Sequence, residues 1–199
     1  TPPTGFVALC QKNLDLLPID TTDVSSEGQG TVVLRPQRFF DTVLYTGNGP
    51  TGQSITGLEF APDFVWIKSR SFSNNHHLFD TIRGPDKILR SSSTDAEDTV
   101  TGVMSSFDSG GFTVKEGGGN NATNANGQQF VAWCWKAGGT SVANNDGAIA
   151  STVNVNKEAG FSIVGFQPTA ASTAVTIGHG LGVAPHMIIV KSRGSSANW

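Results

Sequence analysis

The chain has 199 residues, of which 37% are hydrophobic and 15% charged, and its formal net charge is −3. Without a run of basic residues, nucleic-acid binding is not expected, and no apolar run approaches the roughly 18 residues that a membrane span needs. The 24 glycines, and the short apolar runs separated by Ser, Thr and Asn, are typical of an all-β protein with many turns.

An internal repeat is the clearest signal in the sequence. Residues 57–76 recur as residues 180–199, at an offset of 123, with nine of the 20 positions identical. Unrelated segments of this length would share about one residue, so the match indicates tandem structural units. The second copy stops at Trp199, whereas the first unit continues to residue 139. We therefore expect the second unit to be incomplete and the chain to be a piece of a longer protein.

Four segments are predicted along the chain. The first opens with a Thr-Pro-Pro-Thr-Gly turn and contains a short strand-like stretch, and the second is polar. The predicted segments are the end of a preceding β-sandwich domain at residues 1–19, a linker at 20–38, a first β unit at 39–139 and an incomplete second unit at 140–199.

Within the first unit, short apolar runs and turn residues predict the strands. Alternation predicts a strand at residues 39–45, with Phe40, Thr42 and Leu44 on one face. The unbroken apolar run at residues 64–67 predicts a central strand that is buried on both faces. Further strands are predicted at residues 53–56, 78–82 and 87–89, and as a hairpin of residues 103–107 and 111–115 around Asp108-Ser109-Gly110.

The strand predicted at residues 129–136 completes the first unit. Alternation separates its side chains into two groups, Phe130, Ala132 and Cys134 on one face and Val131, Trp133 and Trp135 on the other. Two large aromatic residues on one strand are more often core residues than a ligand platform. We therefore expect Trp133 and Trp135 in the core.

The second unit begins like the first. Residues 148–155 predict a short alternating strand, and residues 161–166 match residues 40–45 at an offset of 121. The offset thus changes from 121 here to 123 in the segment at residues 57–76. The two-residue difference falls in the intervening loop, where insertions cost little. The sequence thus predicts an all-β fold of antiparallel β-sandwich modules in tandem, with a jelly-roll or lectin-like architecture.

No catalytic, cofactor or metal site is predicted. His76 and His77 lie near Asp80, but adjacent side chains on a strand point to opposite faces, so we expect surface histidines. The glycines at residues 117–119 lack the strand-to-helix context and the lysine of a phosphate-binding loop. The two cysteines, Cys10 and Cys134, form no metal-binding pattern and are expected to be free thiols, although a disulfide stays open.

Charged residues cluster at two places. Asp95, Glu97 and Asp98 lie in a loop rich in Ser and Thr, which predicts solvated carboxylates, with a bound calcium ion or a glycosidase pair as alternatives. The tripeptide Lys68-Ser69-Arg70 recurs as Lys191-Ser192-Arg193. We favour a structural role for it, with carbonyls or a carboxylate such as Asp80 as partners. The alternative is contact with acidic glycans or a neighbouring subunit.

Several segments together resemble a repeat module of tailed-phage virion proteins, of the type common in marine and cyanobacterial phages. Its members are mostly called tail-fibre or uncharacterised structural proteins. The opening residues 1–9 are similar to the last strand of the SPRY-like β-sandwich that often precedes this module. The segments that carry the resemblance lie at residues 40–49, 55–58, 61–68, 78–84 and 130–139, and in the second copy at residues 178–182 and 184–193.

The resemblance implies a structural protein of the phage virion, located in a tail fibre or similar surface appendage. A homo-oligomer, a trimer by analogy, is expected, with other virion proteins as partners and a host-surface glycan as ligand. It implies neither an enzyme nor a cofactor, and neither nucleic-acid binding nor membrane insertion. The alternatives are a capsid or head decoration protein and a polysaccharide depolymerase.

Ligand contacts are expected in two polar loops, residues 71–77 and residues 116–127, the second a low-complexity segment predicted to be exposed. An exposed aromatic side chain, Phe72 or Trp199, is expected to add to glycan binding. The candidate ligand-binding residues are Phe72, Asn74, Asn75, His76, Asn120 and Asn121.

Overall fold

A computed structural model describes residues 36–117, 122–169 and 174–199, which all belong to one compact unit. The preceding domain end, most of the linker, Cys10, Asn120 and Asn121 lie outside the described residues. After a 3-10 turn at Pro36–Arg38, the described chain forms β1 (Phe40–Thr46), β2 (Gln53–Thr56), β3 (Phe64–Ser69), β4 (His77–Asp80), β5 (Gly84–Leu89), β6 (Asp98–Thr99), β7 (Met104–Asp108), β8 (Gly111–Val114), β9 (Gln129–Trp135), β10 (Val142–Asn144), β11 (Ser151–Asn156) and β12 (Phe161–Phe166).

The strands form an antiparallel β-sandwich, which confirms the predicted all-β fold. One sheet has six strands in the order β1-β9-β3-β4-β5-β6, and the opposing sheet has the order β2-β8-β7. A third sheet, β10-β11-β12, follows in the chain. The named pairs are antiparallel, including the hairpin β7–β8 that was predicted around the turn at residues 108–110.

The core lies between the inner faces of the two sandwich sheets. Phe79, Phe112 and Phe130 are fully buried there, together with aliphatic residues such as Val65 and Ile67. Each such side chain stabilises the fold by about 1.5–3 kcal/mol relative to an exposed position. In β1, β3 and β9 the core is therefore supplied by one face of the strand, as the alternation of β1 and β9 predicts.

The prediction that β3 is buried on both faces is wrong. Its burial alternates: Val65, Ile67 and Ser69 are buried, whereas Phe64 and Trp66 are half-buried. The strand is central, between β9 and β4, but only its inner face packs against the second sheet. The apolar run at residues 64–67 therefore supplies two residues to the core and two aromatic residues to the outer face of the sheet.

The expected exposure of residues 116–127 is wrong for residues 122–124, whereas Asn126 and Gly127 are exposed as predicted. Ala122, Thr123 and Asn124 are buried, and the Asn124 side chain donates to Asn48 Oδ1 (2.7 Å) and to the Gly49 carbonyl (2.8 Å). A polar sequence can be buried when its groups are hydrogen-bonded in this way. Residues 122–124 therefore pack against the sandwich instead of extending into solvent.

The two copies of the repeat differ in the structure. β12 is the counterpart of β1, but residues 187–190, which align with residues 64–67 of β3, form no strand. Met187 is 75% and Ile188 72% exposed, whereas Val65 and Ile67 are 0% exposed. β3 is held between β9 and β4, whereas no described strand pairs with residues 187–190. Without neighbouring strands, the same pattern does not form a sheet.

Asp63 connects the sandwich to the third sheet. Its buried carboxylate accepts hydrogen bonds from the Ala137 amide (2.8 Å), the Asn154 side-chain amide (2.8 Å) and the Thr81 hydroxyl (3.2 Å). Asn154, on β11, also accepts a hydrogen bond from the Gly138 amide (2.7 Å). The junction between β9 and β11 is thus fixed by a buried polar network.

The described part of the chain contains no helix with the length and apolarity of a membrane span.

Candidate functional site

The outer face of the six-stranded sheet carries a row of aromatic side chains, which we call the aromatic strip. Alternation places these residues opposite the core, and each is at least partly exposed. The prediction that Trp133 and Trp135 lie in the core is therefore wrong, because they point away from the inner face that holds Phe130. The strip consists of Phe40 on β1, Phe64 and Trp66 on β3, and Trp133 and Trp135 on β9.

Strand register brings the strip together. Trp66 lies directly opposite Trp133, and Trp135 lies opposite both Phe40 and Phe64. The rings of Trp66 and Trp133 meet edge to face at 5.9 Å, and Trp135 lies 4.8 Å from Phe40 and 5.3 Å from Phe64. Aromatic pairs in these arrangements hold each other in place. The strip is therefore an ordered surface and not a set of independent side chains.

An open depression of about 220 Å³ lies on the strip and is lined by Trp66, Trp133 and Trp135. Drug-sized ligands usually occupy pockets of roughly 300–1,000 Å³, so this depression suits a ligand that stacks on a surface. Aromatic rings can bind a sugar in this way, by stacking against the apolar C–H face of the sugar ring. The grouping of three tryptophans on one open face makes the strip the candidate binding surface.

His76 positions Trp66. The Trp66 indole Nε1–H donates to His76 Nδ1 (2.9 Å), and the His76 amide donates to Ser92 Oγ (3.1 Å). Burial lowers the pKa of His76, and the nearby charge of Lys68 lowers it further. The imidazole is thus kept neutral, so that its Nδ1 can accept the indole hydrogen.

Replacing His76 with glutamine is expected to reduce the loss of stability on acidification. Because the folded protein holds the pKa of His76 below its ordinary value near 6.5, the unfolded chain takes up the proton first. The stability contributed by neutral His76 is complete above this value and is lost as the pH falls below about 6.5 and through the lower pKa of the folded state. Melting temperatures across this range should fall less in the variant than in the wild type. His186→Gln, at an exposed position, is the control, and an unchanged pH profile for His76→Gln would contradict the assignment.

The predicted ligand-binding residues are not brought together as one site. Of the four that the structure describes, Phe72, Asn74, Asn75 and His76, only His76 is bonded to a residue of the aromatic strip, Trp66. Phe72 packs edge to face against Phe130 at 6.2 Å, and the Asn74 side chain donates to the Ala122 carbonyl (2.7 Å). Asn75 accepts a hydrogen bond from Ser92 Oγ (3.1 Å). The described loop residues are thus engaged in holding residues 71–77 in place.

The histidines and carboxylates also differ from the sequence-based expectations. His77 is 1% exposed and is a core-side residue of β4, so the prediction of a surface histidine is wrong for it. Glu97 is not a solvated carboxylate, since it accepts hydrogen bonds from Arg193 (2.8 and 2.9 Å) and Arg83 (3.4 Å). Arg83 also pairs with Asp80. Among the described residues, no group of three or more His, Cys, Asp or Glu side chains could hold a metal ion.

The two Lys-Ser-Arg copies have different partners. Lys191 donates to the Thr94 (3.1 Å) and Ala197 (3.0 Å) carbonyls, and Arg193 binds Glu97, so the second copy has a structural role. In the first copy, Lys68 donates to the Ser69 carbonyl (2.7 Å). Asp80, the carboxylate suggested as a partner, is bound by Arg83 instead.

A second depression, of about 400 Å³, lies beside the third sheet. Its lining includes Asp146, Lys157, His179 and the backbone of residues 177–184. His179 Nδ1 accepts a hydrogen bond from the Leu181 amide (3.2 Å), which fixes its ring within this turn. Because His179 Nδ1 is already hydrogen-bonded to the backbone, it is not free to accept a hydrogen bond from a ligand. The aromatic strip is therefore the stronger candidate site.

Sequence reasoning missed Trp66, Trp133 and Trp135 as site residues. Their side chains share a face because alternation within each strand is combined with the pairing of β3 and β9. The alternation was visible in the sequence, and the pairing was not. The available signal was that β3 and β9 each carry a tryptophan, Trp66 and Trp133, at a position that alternates with core residues. In β3 this tryptophan is followed two residues later by Lys68.

The comparisons with known proteins give a family and no function. No curated protein and no solved structure matches this chain. A family model matches residues 35–199, which is most of the chain and includes the sandwich and the third sheet. The chain therefore belongs to the family described as domain of unknown function DUF7483.

Proposed function

We propose that this chain is a virion structural protein of a tailed phage, part of a tail fibre or similar appendage, and that its aromatic strip binds a glycan of the host surface. The binding is non-covalent. The rigid sandwich holds the strip in place, and no chemical step on the ligand is required. The virion context is supported by the resemblance of both repeat copies to modules of phage structural proteins.

The observation that carries the binding role is the aromatic strip, whose side chains are half-buried or exposed on the outer sheet face. Three of the four tryptophans in the chain line one open depression on a sheet face. Large apolar side chains on a protein surface usually mark an interaction site. Sugars present both polar hydroxyls and apolar C–H faces, and aromatic side chains bind such amphipathic ligands by stacking.

The glycan-binding role can be tested with a microarray of bacterial capsular and O-antigen polysaccharides, probed with the full chain. Wild-type protein is expected to bind a subset of these glycans. Trp133→Ala should weaken this binding about 30-fold, which corresponds to about 2 kcal/mol for a central aromatic contact. Asn75→Ala, in the loop at residues 71–77, serves as the control and should bind like the wild type. Loss of binding in Asn75→Ala, with Trp133→Ala unaffected, would place the site in the loop.

A head decoration protein is the second candidate. It is favoured by the exposed apolar side chains of Val183, Met187 and Ile188, since such patches often mediate association between subunits. Immunogold labelling of purified phage particles separates the two candidates. Label on the tail or its fibres is the expected result, and label on the head would reject the appendage role.

A further inference from the structure

Lys68 introduces positive charge at one end of the aromatic strip. It is the single charged side chain at the outward-facing positions of β1, β3 and β9, two residues beyond Trp66 on β3. Its charge acts on the strip, because it contributes to the lowered pKa of His76, the residue that accepts the Trp66 indole hydrogen bond. A cation is therefore placed beside an apolar stacking surface.

The ammonium group of Lys68 remains available to a ligand. Its Nζ donates to the Ser69 carbonyl, which uses one of three N–H donors. The ion pairs within residues 36–117, 122–169 and 174–199 are formed by Arg83, Arg90 and Arg193, not by Lys68. Arg70, the next residue of the same alternation, is exposed and adds a second positive charge.

Two carboxylates, Asp80 and Asp41, lie at the opposite end of the strip from Lys68 and are engaged elsewhere. Asp80 lies opposite Phe64 in the sheet, but it is 5% exposed and is bound by Arg83. Asp41 lies on the opposite face of β1 from Phe40, and its charge contributes to the raised pKa of Cys134 on the inner face. The ligand surface thus combines tryptophan rings with unpaired positive charge, which is complementary to a sugar that carries a carboxylate.

We propose that the glycan bound on the aromatic strip is acidic, with a sugar ring stacked on Trp66 and Trp133 and a carboxylate bound by Lys68. This inference rests on the proposed function, since it assigns the ligand class of the same strip. A charge-assisted hydrogen bond to Lys68 is stronger than one between neutral groups. It also weakens with added salt, because the strip is open to solvent.

A matched pair of probes tests the ligand class by titration calorimetry: oligogalacturonate and its methyl ester, which have the same rings and differ in charge. Wild-type protein should bind the acid at least about 10-fold more tightly than the ester at low ionic strength. This preference should decrease between about 0.02 and 0.5 M salt. Lys68→Met should abolish the preference while leaving affinity for the ester within about two-fold. Lys68→Arg should retain most of it, and Trp133→Ala should weaken binding of both probes.

The outcomes separate this inference from the glycan-binding role. Equal affinity of the wild type for acid and ester, with Trp133→Ala weakening both, would overturn the acidic ligand and leave the strip as a glycan site. A preference for the acid that persists in Lys68→Met would overturn the role of Lys68. If neither probe binds while a neutral glycan on the array does, the acidic class is wrong, whereas absence of binding to every glycan contradicts the proposed function itself.

Discussion

Replacing Asp63 with alanine is expected to lower the free energy of unfolding by about 3–5 kcal/mol. Asp63 is 3% exposed, and its carboxylate accepts hydrogen bonds from Ala137, Asn154 and Thr81. Its removal leaves these three donors without their acceptor in a buried place, and each such group costs about 1–3 kcal/mol. The loss should be seen as an earlier midpoint in urea denaturation, followed by circular dichroism.

Two further variants define the origin of this loss. Asp63→Asn keeps the shape and part of the acceptor capacity, so its effect should be smaller than that of alanine. Asp95→Ala removes an exposed carboxylate of the same chain and should change stability by no more than about 0.5 kcal/mol. A loss below about 1 kcal/mol in Asp63→Ala would mean that the polar network does not hold the junction between the sandwich and the third sheet.

The second large effect concerns the two faces of β9. Phe130→Ala should lower the free energy of unfolding by about 3–5 kcal/mol, because Phe130 is fully buried between the sheets and its loss leaves a cavity. Trp133→Ala, three residues further along the same strand, should cost only about 1 kcal/mol, since its ring is half-buried and lies on the outer face, where it meets Trp66 edge to face. Urea denaturation of both variants measures the difference directly.

This pair tests whether the aromatic strip is a surface for a ligand or part of the structural core. If Trp133→Ala destabilised the protein as strongly as Phe130→Ala, the outer face would be essential to the fold, and loss of glycan binding in Trp133→Ala could not be assigned to a lost contact. With the expected difference, the same variant reports on binding alone.

The strands could be predicted because alternation and turn residues are local properties. The strands β1, β2, β9 and β12 and the hairpin β7–β8 were predicted within a residue or two of their observed bounds. The separation of Phe130 from Trp133 by faces also follows from a period of two. Such patterns depend on neighbours along the chain, so the fold class was accessible from the sequence.

Which face is the core could not be predicted, since it depends on strand order and on what packs against each sheet. The run at residues 64–67 gave no indication that Trp66 would lie outside, opposite Trp133. The repeat likewise does not settle secondary structure: residues 187–190 match residues 64–67 but form no strand, whereas β3 is flanked by β4 and β9. Burial of Asn124 depends on hydrogen bonds to Asn48 and Gly49, about 75 residues away in the chain.

The most direct test of the glycan site is an NMR titration that follows the four tryptophan indole N–H signals with the best glycan from the array. We expect the indole signals of Trp133 and Trp135 to shift when the ligand is added. The signal of Trp66, whose indole donates a hydrogen bond to His76, should shift as well. The indole of Trp199 donates to the carbonyls of Arg90 and Ser93, and Trp199 is not among the residues that line the depression. Its signal should not shift and serves as the internal control. Shifts confined to Trp199 or to the backbone amides of residues 71–75, with the three strip signals unchanged, would contradict the account.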